Sequence, residues 1–243
     1  MENISTKIEG SLKSESLKIA PSVLTADFGN MRKVVEDLQS AGADLLHFDI
    51  MDGIFVPNLS FGSKLIADLR PFIKVPLDVH LMIGRPERMT AAVAEAGADM
   101  ISFHIESTDR EYIVPMLRDL KRRKIKAGLA ISPDTNIKNL TQALDTVDYI
   151  VLMGVYPGAG GQEILEKTYD RLTQLKELIG DRDIAIQLDG GIKIENIAKI
   201  KEIGIDMAVI GSGIISAENW SDAITEFREK QIEFGNNEED DED

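Results

Sequence analysis

The chain has 243 residues, of which 43% are hydrophobic, with three histidines, no cysteine and a formal net charge of −15. The negative charge argues against nucleic acid as a partner, because nucleic-acid binding needs a basic surface. Without cysteine there is no disulfide, no thiolate nucleophile and no cysteine-bound zinc, which leaves histidine and carboxylate as metal ligands. Residues 1–17 lack the apolar stretch of a signal peptide, and no apolar run approaches the roughly 20 residues that span a bilayer. We therefore expect a cytoplasmic protein with neither nucleic-acid nor membrane partners.

Eight apolar stretches of strand length alternate with amphipathic stretches along the chain. The apolar stretches are nearly continuous in hydrophobic side chains, as in strands that are covered on both faces. The amphipathic stretches include 30–41, 86–96 and 169–179, each with apolar residues on one stripe of a helix. The eight strands are expected near residues 19–24, 45–51, 77–82, 100–105, 127–131, 149–155, 184–188 and 207–210.

The order of these stretches favours one fold class. Eight βα units without a break in composition predict a single (β/α)8 TIM barrel with a parallel eight-stranded core, rather than a doubly wound sheet. The repeated sequence AGAD at 41–44 and 96–99 ends a helix with glycine and enters the next strand. We assign 1–17 to a polar N-terminal extension, 18–232 to the barrel and 233–243 to a disordered acidic tail.

Four potential metal ligands follow from the expected strands. His47 and Asp49 lie at the end of the second apolar stretch, His80 at the end of the third and Asp189 at the end of the seventh. The carboxyl ends of barrel strands converge, so we expect these side chains to meet there. Imidazole and carboxylate together suit one divalent ion among Zn²⁺, Fe²⁺, Mn²⁺ and Co²⁺ better than Mg²⁺ or Ca²⁺. His104 ends the fourth stretch, where it either orients a ligand by hydrogen bonding or is a packed structural histidine.

Glycine-bearing turns follow the sixth, seventh and eighth stretches, at 157–162, 189–191 and 211–213. Turns of this kind present backbone N–H groups that suit a phosphate, and barrels commonly bind phosphate after strands seven and eight. Met51, Met82 and Met153 each end a strand near this region, where they either pack in the core or form an apolar wall around the substrate.

A metal ion and a phosphate-binding site, together with two carboxylates, suit proton abstraction beside a carbonyl group. A divalent ion polarises the ketone and its neighbouring hydroxyl, and one carboxylate on each side of the substrate would invert a stereocentre. Two other classes of protein fit the sequence less well. A non-catalytic sugar-phosphate-binding barrel would be expected to lack one of the carboxylates, and a barrel lyase or decarboxylase often needs a lysine at a strand end, where this chain has none.

Five motifs resemble the ribulose-phosphate 3-epimerase family, and the resemblance covers roughly residues 18–227. The motifs are SVLTADF (22–28), HFDIMDGIFVPN (47–58), LDVHLM (77–82), PGAGGQ (157–162) and DGG (189–191). The second motif is long and highly specific.

The resemblance implies a metal-dependent isomerase in a TIM barrel that interconverts D-ribulose 5-phosphate and D-xylulose 5-phosphate in the pentose phosphate pathway. It makes His47, Asp49, His80 and Asp189 the ligands of one divalent metal ion. It makes Asp49 the proton acceptor and Asp189 the proton donor. A homo-oligomer is also implied. The substrate-binding residues are then Ser22, His47, His80, Met51, Met82, Met153, Gly158, Ala159, Gly160, Gly161, Gly190, Gly191, Gly211 and Ser212.

The chain departs from the family pattern around the sugar. Where members usually read MTVNPGFGGQ, this chain reads MGVYPGAGGQ at 153–162, so Tyr156 replaces asparagine and Ala159 replaces phenylalanine. After strand eight, Gly213 replaces alanine. The metal and acid/base positions are unchanged, so a ketohexose 6-phosphate such as D-allulose 6-phosphate stays open as the substrate of the same reaction.

Overall fold

The structure, a computed structural model, describes residue 8, residues 10–13 and residues 16–231. The predicted acidic tail, 233–243, lies outside the described residues, as does part of the N-terminal extension. Eight parallel strands form one sheet in the order β1-β8-β7-β6-β5-β4-β3-β2. An isolated parallel bridge between Ser22 and His47 joins the two ends of this sheet, so that the barrel nearly closes. The predicted (β/α)8 barrel is confirmed.

The strands are β1 Lys18–Pro21, β2 Leu46–Met51, β3 Leu77–Met82, β4 Met100–His104, β5 Lys126–Ile131, β6 Tyr149–Met153, β7 Ala185–Asp189 and β8 Met207–Ile210. The α-helices are α1 Met31–Ser40, α2 Ser63–Leu69, α3 Thr90–Glu95, α4 Arg110–Arg122, α5 Lys167–Ile179, α6 Ile197–Ile203, α7 Ser212–Ile215 and α8 Trp220–Glu229.

Three elements differ from the sequence-based expectation. The first strand ends at Pro21, because the Ser22 hydroxyl accepts a hydrogen bond from the Leu24 N–H and begins a 3₁₀ turn. A 3₁₀ helix, Ile137–Ala143, takes the place of an α-helix between β5 and β6. The helix expected over 86–96 is divided between a 3₁₀ turn, Pro86–Arg88, and α3.

Alternate side chains of each strand enter two separate cores. Outward-facing residues such as Phe48 and Val79 pack against the helices in the larger core. Inward-facing residues such as Val151 and Met207 fill the barrel interior. Both faces are therefore covered, which explains why the strands are nearly continuous in apolar residues. The polar exceptions point inward, and they form the site described below.

Four aspartates close the N-terminal end of the barrel in a repeating pattern. Each one precedes an even-numbered strand and accepts a hydrogen bond from a backbone N–H near the start of the preceding odd-numbered strand, at 2.8–2.9 Å. They satisfy N–H groups that would otherwise lack a partner at the barrel end. The pairs are Asp44 with Ile19, Asp99 with Leu77, Asp148 with Ala127 and Asp206 with Ile186. The AGAD repeat thus has a structural role beyond ending its helices.

Replacing Asp99 with alanine is expected to destabilise the barrel by about 3–5 kcal/mol. Asp99 is buried, and its Oδ2 accepts a hydrogen bond from Arg70 Nη1 at 2.8 Å, so its loss leaves a buried guanidinium without its counter-charge. Urea denaturation followed by circular dichroism measures the free energy of unfolding. Asp37→Ala is the control, because Asp37 pairs with Lys33 on the solvent-facing side of α1 and should cost under about 0.5 kcal/mol. Equal losses in the two variants would contradict a role for the buried pair.

Part of the N-terminal extension packs under the barrel. Leu12 is buried among interior residues that include Leu45 and Met100, and Ile8 packs against the same cluster. The carbonyl of Leu12 accepts a hydrogen bond from Lys18 Nζ at 2.9 Å. The extension is therefore polar in overall composition, but its described residues Ile8 and Leu12 cover the N-terminal end of the barrel.

Among the helices of the described residues, none has the length and apolar character needed to cross a bilayer.

Candidate active site

Four side chains converge at the C-terminal end of the barrel, as the sequence predicts. His47 and Asp49 extend from β2, His80 from β3 and Asp189 from the end of β7. One ligand atom from each of them lies within 4.8 Å of the others, and all four residues are buried. His47 and Asp49 share a face because they are two residues apart in a strand.

The spacing of these atoms fits a metal ion. His47 Nε2 lies 3.2 Å from Asp49 Oδ1 and 3.7 Å from Asp189 Oδ2, and His80 Nδ1 lies 3.4 and 3.2 Å from the same two oxygens. Ligands that are each 2.0–2.2 Å from one tetrahedral ion are about 3.3–3.6 Å apart. His80 Nδ1 is buried and makes no well-aligned hydrogen bond to a described residue. Donor type, spacing and this unsatisfied nitrogen all fit a divalent cation.

The imidazole of His47 is oriented by a buried carboxylate on its Nδ1 side. Asp78, two residues before His80 on β3, has Oδ2 2.7 Å from His47 Nδ1. Gln187 Nε2 donates to the same oxygen at 2.7 Å, and the Tyr149 hydroxyl donates to Asp78 Oδ1 at 3.0 Å. Burial, together with the charge of Asp78, raises the pKa of Tyr149 well above its ordinary value, so Tyr149 remains a donor. His47 Nε2 is thereby directed towards the carboxylates of Asp49 and Asp189.

His80 is held from the other side by a second histidine. His80 Nε2 lies 3.0 Å from His104 Nε2, and His104 Nδ1 lies 3.0 Å from Glu106 Oε2. Burial lowers the pKa of His104 below its ordinary value despite the hydrogen bond to Glu106. Of the two readings of His104 from the sequence, the geometry matches the one in which it contacts a ligand side chain.

The carboxylates of the cluster shift the pKa values of the imidazoles that they face. Burial opposes protonation of His47 and His80, but the facing carboxylates outweigh it and raise both pKa values above the ordinary range. Burial also opposes ionisation of Asp49, yet His47 more than compensates and holds the pKa of Asp49 well below its usual value. Asp49 is therefore a carboxylate at neutral pH. The Ser22 hydroxyl donates to Asp49 Oδ2 at 2.7 Å, which orients that carboxylate at the seam between β1 and β2.

A cavity opens directly above the two carboxylates. Asp49 and Asp189 form part of its floor, and three methionines contribute apolar walls. His47 and His80 are fully buried behind the carboxylates and are not among the described lining residues, so their predicted contact with substrate stays a prediction. The remaining predicted residues that line the cavity are Ser22, Met51, Met82, Met153, Gly158, Ala159, Gly160, Gly161, Gly190, Gly191, Gly211 and Ser212.

Two glycines allow the loops after β6 and β7 to approach each other. The Gly154 N–H donates to the Asp189 carbonyl at 2.7 Å, and a Cβ at Gly154 would lie 2.3 Å from the Gly190 oxygen. Gly191 has a φ of +74°, and its Cβ would lie 2.4 Å from the Ile164 nitrogen. Side chains at these two positions would push the loops apart. The close approach places the glycine turn beside Asp189.

Sequence reasoning missed several residues of this site. Asp78 is the main one, although it precedes His80 by two residues, so strand alternation would have directed it to the same face. Tyr156, which the sequence marked only as a departure from the family pattern, also lines the cavity, and its hydroxyl donates to Asp134 Oδ1 at 3.2 Å. Lys193 and Thr25 line the cavity as well; Thr25 lies within the SVLTADF motif, whereas no sequence pattern distinguished Lys193 from ordinary loop residues.

The fold matches solved barrels of low sequence identity. KGPDC from Streptococcus mutans superposes with a TM-score of 0.66 at 15% identity, covering 88% of this chain and 96% of that one. The tryptophan synthase α-subunit from Pyrococcus furiosus superposes with a TM-score of 0.64 at 15% identity, covering 88% and 97%. At this identity the similarity establishes the fold alone.

Sequence similarity is much closer to one group of enzymes. The profile of the ribulose-phosphate 3 epimerase family matches residues 18–215. Ribulose-phosphate 3-epimerase from Serratia marcescens is 42% identical over 205 residues, which are 83% of this chain and 97% of that protein. The enzyme of the same name from Escherichia coli K12 is 39% identical over 213 residues, or 86% and 94%. With a barrel fold, a four-ligand cluster and matches over most of its length, the chain belongs to the ribulose-phosphate 3-epimerase family.

Proposed function

We propose that this chain is a carbohydrate epimerase that inverts C3 of a ketose phosphate, interconverting D-ribulose 5-phosphate and D-xylulose 5-phosphate. The observation that carries the proposal is the position of Asp49 and Asp189. Both carboxylates line one cavity, both lie within 3.7 Å of both imidazoles, and they come from β2 and β7. The names of the similar enzymes supply the substrate.

The two carboxylates divide the proton transfer between them. Asp49 accepts the C3 proton of ribulose 5-phosphate, because its low pKa keeps it ionised and Ser22 holds it in place. Asp189 donates a proton to the opposite face of C3, and the roles exchange in the reverse direction. Removal on one face and return on the other inverts the stereocentre.

His47, Asp49, His80 and Asp189 together would hold one divalent ion. Such an ion supplies positive charge beside the oxygens on which negative charge develops as the proton leaves. Two imidazoles and two carboxylates suit Zn²⁺, Fe²⁺, Mn²⁺ or Co²⁺.

The rest of the cavity binds the substrate and limits access of water. Met51, Met82 and Met153 surround the carboxylates with apolar surface, which protects a carbanion-like intermediate from solvent protons. The glycine turns after β6, β7 and β8 bind the phosphate through backbone N–H groups. Lys193, at the same cavity, adds a positive charge.

The small side chain of Ala159 favours a larger ketose phosphate as a second candidate substrate. Ala159 lines the cavity where the family pattern has phenylalanine, and the smaller side chain leaves more space above the sugar. A ketohexose 6-phosphate such as D-allulose 6-phosphate carries one additional carbon and would use that space. The chemistry at C3 would be the same.

The test of the proposed function is proton NMR in D₂O with metal-supplemented protein and both ketose phosphates in parallel. Starting from ribulose 5-phosphate, we expect xylulose 5-phosphate to appear with deuterium at its C3, because the donated proton comes from an acid that exchanges with solvent. Faster turnover of allulose 6-phosphate would assign the hexulose activity instead. No exchange into either compound would contradict the proposed function.

The homo-oligomer implied by the resemblance stays a prediction. Light scattering coupled to size-exclusion chromatography measures it directly, against the 26.8 kDa mass of one chain.

A further inference from the structure

A row of three side chains runs outwards from the metal cluster on the β4 side. It begins at His80, continues through His104 and ends at Glu106, on the 3₁₀ turn that follows β4. The imidazole planes of the two histidines are within 19° of each other, and their centroids are 5.0 Å apart. The two Nε2 atoms are 3.0 Å apart, which is within the distance of an N–H···N hydrogen bond.

Glu106 is itself held in place at both carboxylate oxygens. Oε2 lies 3.0 Å from His104 Nδ1, and Oε1 accepts the Ser132 N–H at 2.8 Å. His104 is fully buried, and the ring of Phe55 covers it with a centroid separation of 4.7 Å. The row is therefore fixed at its outer end and shielded from solvent at its centre.

The direction of the hydrogen bonds follows from the carboxylate. An ionised carboxylate only accepts, so His104 Nδ1 must carry the hydrogen that faces Glu106. His104 Nε2 is then an acceptor, and His80 Nε2 must donate to it. That leaves a lone pair on His80 Nδ1, the nitrogen that faces Asp49 and Asp189. The tautomer of His80 that can bind a cation is thus selected by a residue two side chains away.

We propose that Glu106 and His104 are positioning residues that set the tautomer and orientation of His80 and so strengthen its binding of the divalent ion. The inference rests on the metal site of the proposed function and extends it to a relay that the motifs do not contain. Glu106 supports His80 through His104, whereas Asp78 contacts His47 directly. The two imidazoles of the cluster are therefore oriented differently. Asp78 contacts His47, whereas the pair of His104 and Glu106 orients His80.

The proposal is tested by titrating metal-free protein with Co²⁺ and recording its visible absorption, without substrate. Glu106→Gln keeps an acceptor for His104 but removes the charge, and we expect about 10-fold weaker Co²⁺ binding with a shifted absorption band. His104→Ala should weaken binding about 10- to 100-fold, and His104→Gln should restore part of the loss, because its amide oxygen can accept from His80 Nε2. Asp134→Asn is the control, since it removes another carboxylate charge that does not belong to the row: Asp134 contacts Lys167 and Tyr156 instead.

The outcomes separate the relay from the metal site itself. Co²⁺ affinity and spectrum unchanged in Glu106→Gln would overturn the proposal, as would equal weakening in Asp134→Asn, which would indicate a general charge effect. If His104→Ala does not fold, Glu106→Gln and His104→Gln still decide the question. Failure of the unaltered protein to bind Co²⁺ would overturn the metal site of the proposed function, whereas normal binding by all variants would overturn the relay alone.

Discussion

Asp189→Asn is expected to lower the rate of epimerisation by about 10³-fold or more, while ribulose 5-phosphate still exchanges its C3 proton with solvent. The variant keeps Asp49, which removes the proton and returns a deuteron to the same face, but it lacks the acid on the opposite face. In D₂O, NMR should therefore show deuterated ribulose 5-phosphate without xylulose 5-phosphate. Asp49→Asn should show the mirror image, with exchange into xylulose 5-phosphate only.

Metal content has to be measured in both variants, because each removes a carboxylate from the cluster as well as a proton-transfer group. Saturating metal compensates for weaker binding, whereas it cannot replace a missing acid. Asp37→Asn, on the exposed side of α1, should behave as the unaltered protein does. Near-normal epimerisation by Asp189→Asn at full metal occupancy would show that the assigned roles are wrong.

Removal of the divalent ion by a chelator is the second change with a large expected effect. The cation stabilises the developing negative charge, so its loss should raise the activation free energy by several kcal/mol. We therefore expect kcat to fall by about 10³-fold or more. The barrel should remain folded, since protons on His47 and His80 balance the carboxylate charge when the ion leaves, as their raised pKa values indicate. Circular dichroism and NMR turnover on the same sample check the two halves of this expectation.

Restoring single metals one at a time identifies those that support turnover. We expect Zn²⁺, Mn²⁺, Co²⁺ or Fe²⁺ to restore activity and Mg²⁺ or Ca²⁺ to do so poorly, because half of the ligand atoms are imidazole nitrogens. The melting temperature should also rise with each metal that binds, since a ligand of the folded state stabilises it by mass action. Full activity after exhaustive chelation would rule out a metal-based mechanism.

The barrel could be predicted from the sequence because its signal is local and repeated. Runs of apolar residues such as those around Leu46–Met51 and Leu77–Met82 are long enough to identify a strand that is covered on both faces, and eight such runs in alternation with amphipathic stretches favour this architecture over a doubly wound sheet. The element boundaries were less accurate. The 3₁₀ helix Ile137–Ala143 had no distinct pattern, since a short helix of either kind needs only a few apolar contacts.

The metal cluster was also predictable, since strand ends converge by topology and the ligand types are few. His47, Asp49, His80 and Asp189 were identified without knowledge of any distance, because a parallel barrel brings the carboxyl ends of all its strands to one face. The motifs that contain them then placed the chain in its family, and the comparisons confirmed that placement.

What the sequence alone determined, therefore, was the fold, the family and the four side chains that together could hold a metal ion. The tertiary structure decided how those ligands are supported. Asp78 and Ser22 lie within the family motifs, but nothing in those motifs shows that Asp78 contacts His47 or that Ser22 contacts Asp49, and Glu106 lies outside them. Hydrogen bonds between side chains distant in sequence depend on the rotation and register of neighbouring strands, and these are set only when the whole barrel has packed.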